Sequence, residues 1–371
     1  MTDPRLEPVP LAILTGFLGA GKTTLLNRLL ADPAMEGTVV VINEFGEIGL
    51  DHLFVEAKGE NTVLLSSGCL CCTVRGELVS TLEDLLRDRD NGRLAFRRVV
   101  VETTGLADPA PVLQSVLSHP YLSLRFAIDA VVTLVDAVNG EGTLDEHAEA
   151  VKQAAVADVL VLTKSDLPAG KAAAPSLARR LRALNPYAPL LDAAAGEATP
   201  AALFGRGFDP TRKIADVSGW LAAAADDDHS GHDHPVPGEG QSAVDPNRHD
   251  AHVRAFSLVS DRPVRGAALE LFLDLLRSAH GPKLLRVKGL VALEDPADRP
   301  LLLHGVQHVF HPPVLLPAWP DADRRTRLVF ITRDLEEGFV RGLWDALSGV
   351  PRVDAPDAAA LADNPLSLRG G

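Results

Sequence analysis

Cysteine is scarce in this chain, and the little there is lies in one place. Three cysteines occur in 371 residues, all inside the stretch GCLCCT, as Cys69, Cys71 and Cys72. That excludes a secreted disulfide framework, which needs paired cysteines at spread spacings. Neighbouring cysteines also make poor disulfide partners, and a chain of this length buries enough surface to fold without staples. A reducing, cytoplasmic setting is expected. Positive charge is short too. Thirty-six Lys and Arg stand against 50 Asp and Glu, a net −14, which argues against a nucleic-acid backbone as the main partner. Long apolar runs are missing: Leu11–Leu14 is far shorter than the roughly 20 residues a membrane helix needs. The opening MTDPRLEPVP is acidic and Pro-rich, unlike a secretory signal. There is no internal repeat.

What is present is an alternation. Apolar runs at Leu11–Leu14, Val39–Ile42, Val63–Leu65, Val99–Val101, Val131–Val135 and Val159–Leu162 are separated by amphipathic stretches such as Leu25–Leu30, Leu78–Leu86 and Val112–Leu117. Continuous apolar strands alternating with helices predict a mostly parallel sheet covered on both faces, a doubly wound α/β fold. From Ala222 the composition turns to Asp, His, Gly and Pro without apolar periodicity, the mark of a flexible linker. Strands are then expected at Val253–Val259, Leu284–Leu293, Leu301–Phe310 and Arg327–Ile331. Helices are expected across Val264–Ala279 and Leu335–Leu347, together a smaller α+β unit. The expected division is a nucleotide-binding domain over 1–210, a His/Asp-rich linker over 211–251, the α+β domain over 252–350 and a disordered tail over 351–371.

Gly16-Phe-Leu-Gly19-Ala20-Gly21-Lys22-Thr23 fits G-x-x-x-x-G-K-[ST], directly after the first apolar strand and at the start of a helix. That context gives the pattern its meaning as a phosphate-binding loop, the mark of a P-loop NTPase. Its glycines let backbone amides close around phosphate oxygens, at a helix end carrying partial positive charge. Lys22 reaches the β- and γ-phosphates, the Thr23 hydroxyl takes Mg²⁺, and Thr24 completes the loop. Val99-Val-Val-Glu102-Thr-Thr-Gly105 is a strand ending in a carboxylate, the Walker B arrangement that supports Mg²⁺. Gly105 would let a switch backbone approach the γ-phosphate. Lys22, Thr23 and Glu102 are thus the expected catalytic set.

Thr163-Lys164-Ser165-Asp166 ends the last apolar run and resembles the guanine-reading N-K-x-D. A carboxylate at Asp166 accepts from guanine N1–H and the 2-amino group together, and adenine offers neither donor at those positions. The Lys164 stem lies over the ring. Thr163 replaces the usual Asn, which removes an amide and is expected to weaken the loop. The expected substrate is GTP.

With these motifs in hand, the chain resembles the CobW-type family of P-loop GTPases, metallochaperones related to urease and hydrogenase maturation GTPases. The matching stretches are TGFLGAGKTTLL, NEFGEIGLD, SGCLCC, VETTGLADP, LVDAV, LTKSD and, in the second unit, KLLRVKG and GVQHVF. The resemblance implies GTP hydrolysis coupled to delivery of a transition metal, zinc foremost and cobalt as an alternative. Cobalamin synthesis or nitrile hydratase maturation are the cobalt-side roles. By matching position it implies Cys69, Cys71 and Cys72 as metal ligands and Asn43–Asp51 as the first switch.

The thiols support that chemistry independently. Soft thiolates select Zn²⁺, Cu(I) or iron–sulfur clusters, and three are one short of a closed tetrahedral site. Glu44, Glu47 and His119 are weighed as the fourth ligand. His229, His232 and His234, among Asp226–Asp228 and Asp233, read as a loading arm. The expected partner is a client metalloprotein. No Gln occupies an evident water-positioning slot and no arginine finger stands out, so activation by the client or by self-association as a homodimer is expected. Two rivals remain. An ATP-dependent small-molecule kinase would let ATP compete as well as GTP. A zinc store or sensor with a vestigial nucleotide site would show no turnover.

Overall fold

The computed structural model describes residues 7–43, 73–205 and 252–349. Among them, six strands form the first sheet: β1 (Val9–Gly16), β2 (Thr38–Asn43), β3 (Arg98–Thr103), β4 (Phe126–Asp136), β5 (Val159–Thr163) and β6 (Leu190–Asp192). Their order is β2-β3-β1-β4-β5-β6, and every pairing is parallel. The strands are apolar on both faces because both are covered. Leu11, Ile13, Val39, Val41, Val99 and Val101 pack under α2 (Thr73–Asp90) and α3 (Ala110–Leu117). Alternate residues Ala12, Leu14, Val40, Val100 and Val132 meet α1 (Lys22–Leu30) on the other side. After the four-residue α4 (Leu122–Arg125), α5 (Gly140–Glu146), α6 (Ala148–Val156) and α7 (Pro168–Leu184) continue the α2 face over Val135, Leu160 and Leu162. A short α8 (Pro200–Leu203) closes the α1 face. The doubly wound expectation holds, and the carboxyl ends of β1, β3, β4, β5 and β6 point their loops to one edge. That edge is where open α/β sheets bind ligands.

The second unit comprises β7 (Val253–Ser260), α9 (Gly266–His280), β8 (Leu284–Val291), β9 (Leu301–Val306), β10 (Val309–Phe310), β11 (Val314–Leu315), β12 (Thr326–Arg333) and α10 (Glu337–Leu347). Its antiparallel sheet runs β10-β9-β8-β12-β7, with β11 added against β9. Helices α9 and α10 bury Leu269, Phe272, Leu276, Val340 and Trp344 on one face of this sheet. The other face turns to the first unit, where Leu285, Val306, Val309 and Ile331 join the core under α2 and α3. One expectation is corrected. Leu301–Phe310 is not one strand but a hairpin, broken at Gln307, whose φ of 53° lies in the left-handed region. No Gly, Pro or Asn marks the turn in GVQHVF, so its sequence reads as continuous. The expected strand Val63–Leu65, the linker and the tail lie outside the described residues.

Charge also crosses the seam. Arg286 of β8 donates to the Asp158 carboxylate and to the Val156 carbonyl, and Lys288 Nζ lies 3.7 Å from Asp158. Arg286 also reaches His304 Nε2 at 3.3 Å, and His304 stacks on His311 with ring centroids 4.3 Å apart. Burial would raise the Asp158 carboxyl, but the Arg286 and Lys288 charges outweigh it and hold it below the usual range. Burial, with His311 beside it, holds the His304 imidazole well below its ordinary value despite the pull of Asp158.

The sign of the pH dependence follows. An unfolded His304 takes up a proton below about pH 6.5 while the folded one does not, so acid favours unfolding. Asp158 adds to this below about pH 4, where the unfolded carboxyl protonates and the folded one stays ionised. Thermal melts from pH 7.5 to 5 should fall by about 2 °C per unit below pH 6.5, and His304→Gln should flatten that slope. An unchanged slope in His304→Gln would remove His304 as the cause.

Candidate functional site

Strand β1 delivers the phosphate loop. It ends at Gly16, where a β-carbon would lie 2.5 Å from the Leu134 carbonyl oxygen, so no other residue fits the approach to β4. Gly21, with φ 89°, is the left-handed residue from which α1 springs, and no acidic side chain sits in that helix's first turn. The helix end therefore presents its amides and dipole undiminished to an anion. Lys22 extends back over the loop, its Nζ donating to Gly16 O at 2.8 Å and Phe17 O at 3.3 Å. Thr24 lies exposed beside it.

Strand β3 runs beside β1 and places Glu102 across from Leu14. The Thr23 hydroxyl donates to Glu102 Oε1 at 3.2 Å, and Glu102 is 5% exposed. Below them Thr103 and Thr15 join the two strands hydroxyl to hydroxyl at 2.8 Å. Adjacent oxygens around octahedral Mg²⁺ stand about 2.9 Å apart. This hard oxygen pair at the lip of the phosphate loop therefore fits two of that ion's ligands.

Beyond Glu102 the chain packs directly on the phosphate loop. A β-carbon on Gly105 would lie 2.5 Å from Leu18 N. From the far side Gln153 of α6, 1% exposed, donates its Nε2 to Gly105 O at 3.2 Å and Ala107 O at 2.9 Å. The Gly105 turn is thus held between the loop and a buried amide. Nothing in the sequence marks Gln153, which belongs to no motif.

The base-side loop is tied to the phosphate loop. Thr163 Oγ1 donates to the Ala20 carbonyl at 2.8 Å, with Val135 O at 3.3 Å. The hydroxyl thus anchors the loop to the phosphate cradle, and the expected weakening is not what the geometry gives. Lys164 has φ 57°, and its Nζ pairs with Asp136 Oδ2 at 2.7 Å. Asp136 also accepts from the Asn139 amide at 2.9 Å and the Val138 N–H at 2.8 Å. Burial would raise its carboxyl, but these hydrogen bonds, Lys164 foremost, hold it below the usual range. The Lys164 stem is therefore fixed at its tip. Asp166 is exposed at the same rim. Ser165 Oγ donates to Asp192 Oδ1 at 2.6 Å, and Arg28 of α1 holds the Ala193 carbonyl at 2.7 Å. The loop after β6 thus joins the site, a member the featureless DAAAGE does not advertise.

Residues 10–192 match the family description "CobW/HypB/UreG, nucleotide-binding domain", and residues 253–348 match "Cobalamin synthesis protein cobW C-terminal domain". The zinc chaperone YjiA of Escherichia coli (strain K12) is 31% identical, aligned over 92% of this chain and 99% of its own. This chain belongs to the CobW family. The zinc chaperone CobW of Pseudomonas aeruginosa is 30% identical over 90% of both chains. The crystal structure of Zn(II)-bound YjiA GTPase from E. coli superposes with a TM-score of 0.65 at 28% identity, covering 92% of this chain and 99% of that one.

Against this family background the remaining expected residues divide in two. Cys69, Cys71, Cys72, Glu44, Glu47, His229, His232 and His234 lie outside the described residues. What the structure does give is where their segments attach. Strand β2 ends at Asn43, whose register partner is Thr103, next to Glu102, and α2 begins at Thr73, directly after Cys72. His119 is described, and it is engaged elsewhere. Its Nε2 lies 3.6 Å from Glu83 Oε1, and its Nδ1 accepts from Leu122 N–H at 3.3 Å. Glu83 stands ten residues after Thr73 in α2, about 15 Å along the helix, so His119 is not poised at the helix start. Among the described residues no three His, Cys, Asp or Glu side chains converge as a metal site, and no helix is long and apolar enough to cross a membrane.

Proposed function

We propose that this chain is a GTP-hydrolysing metallochaperone that carries zinc on Cys69, Cys71 and Cys72 and releases it to a client metalloprotein. The observation that carries the GTP reading is the bond from Thr163 to Ala20 at 2.8 Å. It makes the guanine-reading loop and the phosphate loop one unit, with Asp166 exposed at its rim. Zinc, rather than the cobalt that thiolates also accept, is favoured by the two relatives above, both named zinc chaperones. Reduced thiols suit a cytoplasmic setting.

Each residue has a role in that reading. Lys22 neutralises charge on the β- and γ-phosphates, and backbone amides from Gly19 to Thr24 hold their oxygens. Thr23 and Glu102 would hold Mg²⁺, which supplies further positive charge to the same phosphates when bound. Gly105 lets its segment lie against the loop closely enough to respond to the γ-phosphate. Asp166 accepts from the guanine edge while Lys164, tethered by Asp136, lies over the ring. The thiol-bearing segment follows β2 in the chain, and the last residue of that strand, Asn43, is the register partner of Thr103. Ordering of this edge by the γ-phosphate would therefore bear on the thiolate geometry.

Linkage makes the coupling measurable, because zinc must change GTP affinity by the factor by which GTP changes zinc affinity. GTP titrations with and without Zn²⁺ should differ by at least about fivefold, and Cys71→Ser should abolish the difference. Identical affinities with and without zinc would refute the coupling.

A further inference from the structure

Among the described residues, a polar contact runs from the second domain into the segment that follows Gly105. Gln307 Nε2 donates to Asp108 Oδ2 at 2.7 Å, and Asp108 lies three residues beyond Gly105. The contact is built in from both sides. Gln307 occupies the β9–β10 turn at φ 53°, a conformation that glycine adopts freely and other residues adopt at a cost. A glycine there would relieve the turn but could not reach Asp108. Its backbone N–H is fixed on Leu285 O at 3.3 Å. The flanking Val306 and Val309 are buried in the core shared with α3, so the turn has little freedom to move away.

Asp108 is equally committed. Its Oδ1 accepts from Ala110 N–H at 2.9 Å and caps the start of α3. Its Oδ2 takes Gln307, with Lys152 Nζ at 3.9 Å. The segment from Gly105 to Asp108 is therefore held at three places. Leu18 of the phosphate loop backs Gly105, Gln153 holds the Gly105 and Ala107 carbonyls, and Gln307 holds Asp108. Helix α6 supplies both Lys152 and Gln153, and one turn on, the Val156 carbonyl accepts from Arg286 of β8. The second domain thus grips the segment directly through Gln307 and indirectly through α6.

We propose that Gln307 is a positioning residue for GTP hydrolysis, contributed by the C-terminal domain. By fixing Asp108 it sets where the Gly105 turn meets the γ-phosphate, while it touches no nucleotide itself. The inference rests on the GTPase reading above. A positioning role predicts a particular signature: turnover suffers and binding does not, because the diphosphate part of the nucleotide is held by the phosphate loop without this segment.

The test exchanges the roles of the two side chains in the full-length protein. Gln307→Leu, which keeps the apolar part of the side chain, should lower kcat for GTP by about five- to tenfold. Gln307→Glu should do at least as much, since it sets carboxylate against carboxylate. Neither should change the Kd for GDP. Adding Asp108→Asn to Gln307→Glu restores a donor–acceptor pair with its direction reversed and should bring kcat back to within about twofold. Asp108→Asn added to Gln307→Leu should not. Thermal melts of all variants report whether they fold, and the rescue separates positioning from damage even if the single variants are destabilised. Unchanged kcat in both single variants, or no rescue in Gln307→Glu with Asp108→Asn, would overturn the inference. Absence of GTP turnover in the unaltered protein would instead overturn the GTPase reading on which it stands.

Discussion

Lys22→Ala should lower kcat/KM for GTP by about a thousandfold, a loss of about 4 kcal/mol in transition-state stabilisation. In the structure the ammonium donates to the Gly16 and Phe17 carbonyls of its own loop. Those acceptors hold the charge over the loop without neutralising it. Removing Lys22 should therefore leave the fold standing while stripping the phosphates of a fixed cation. Circular dichroism should be unchanged, and steady-state GTP hydrolysis should carry the whole effect. Activity within about tenfold of the unaltered protein would mean that the phosphates are held elsewhere.

Asp166→Asn should invert the base preference. The aspartate offers two acceptors to guanine's N1–H and 2-amino group. An asparagine keeps one acceptor and presents an amide donor where guanine also presents a donor. Xanthine carries a carbonyl at that position, so it pairs with the asparagine and not with the aspartate. GTP affinity should fall by about a hundredfold, and xanthosine triphosphate should bind the variant better than GTP does. The same titrations on the unaltered chain, with ATP as competitor, decide between guanine and adenine. Equal competition by ATP, or unaltered GTP affinity in Asp166→Asn, would reassign the loop. Because Asp166 is exposed, the substitution leaves no buried group without a partner, and a change in stability would not confuse the reading.

How much of this was legible beforehand depended on whether the chemistry is local. The phosphate loop announces itself because its glycines, lysine and threonine must sit at fixed offsets on one strand–helix turn. Glu102 is legible because an acid ending a run of valines is conspicuous. Thr163 was legible as a position but not as a contact: its hydroxyl works on Ala20, which lies 143 residues earlier, and a sequence shows a missing amide more readily than a new partner. Gln153 carries no local mark at all, and Gln307, though it lies inside the matching stretch GVQHVF, carries no sign of its contact. Each is one amide in an apolar stretch, and its meaning comes only from the carbonyl or carboxylate that the topology brings to it. The hairpin at Gln307 reads as an unbroken strand for the same reason, since its turn is held by tertiary packing rather than by turn-forming residues. The loop after β6 is quiet because its alanines contribute backbone, which any residue could supply.

The shared core has a consequence for how the chain can be cut. Family descriptions divide it into two matched segments, yet Leu285, Val306, Val309 and Ile331 belong to the same apolar cluster as Val112 and Val116. A truncation that ended the protein before β7 would uncover that apolar surface and leave Asp158 without Arg286 and Lys288. The excised nucleotide-binding half is then a poor stand-in for the whole: it would be sticky, acid-tolerant in a different way, and missing the Gln307 contact that holds Asp108.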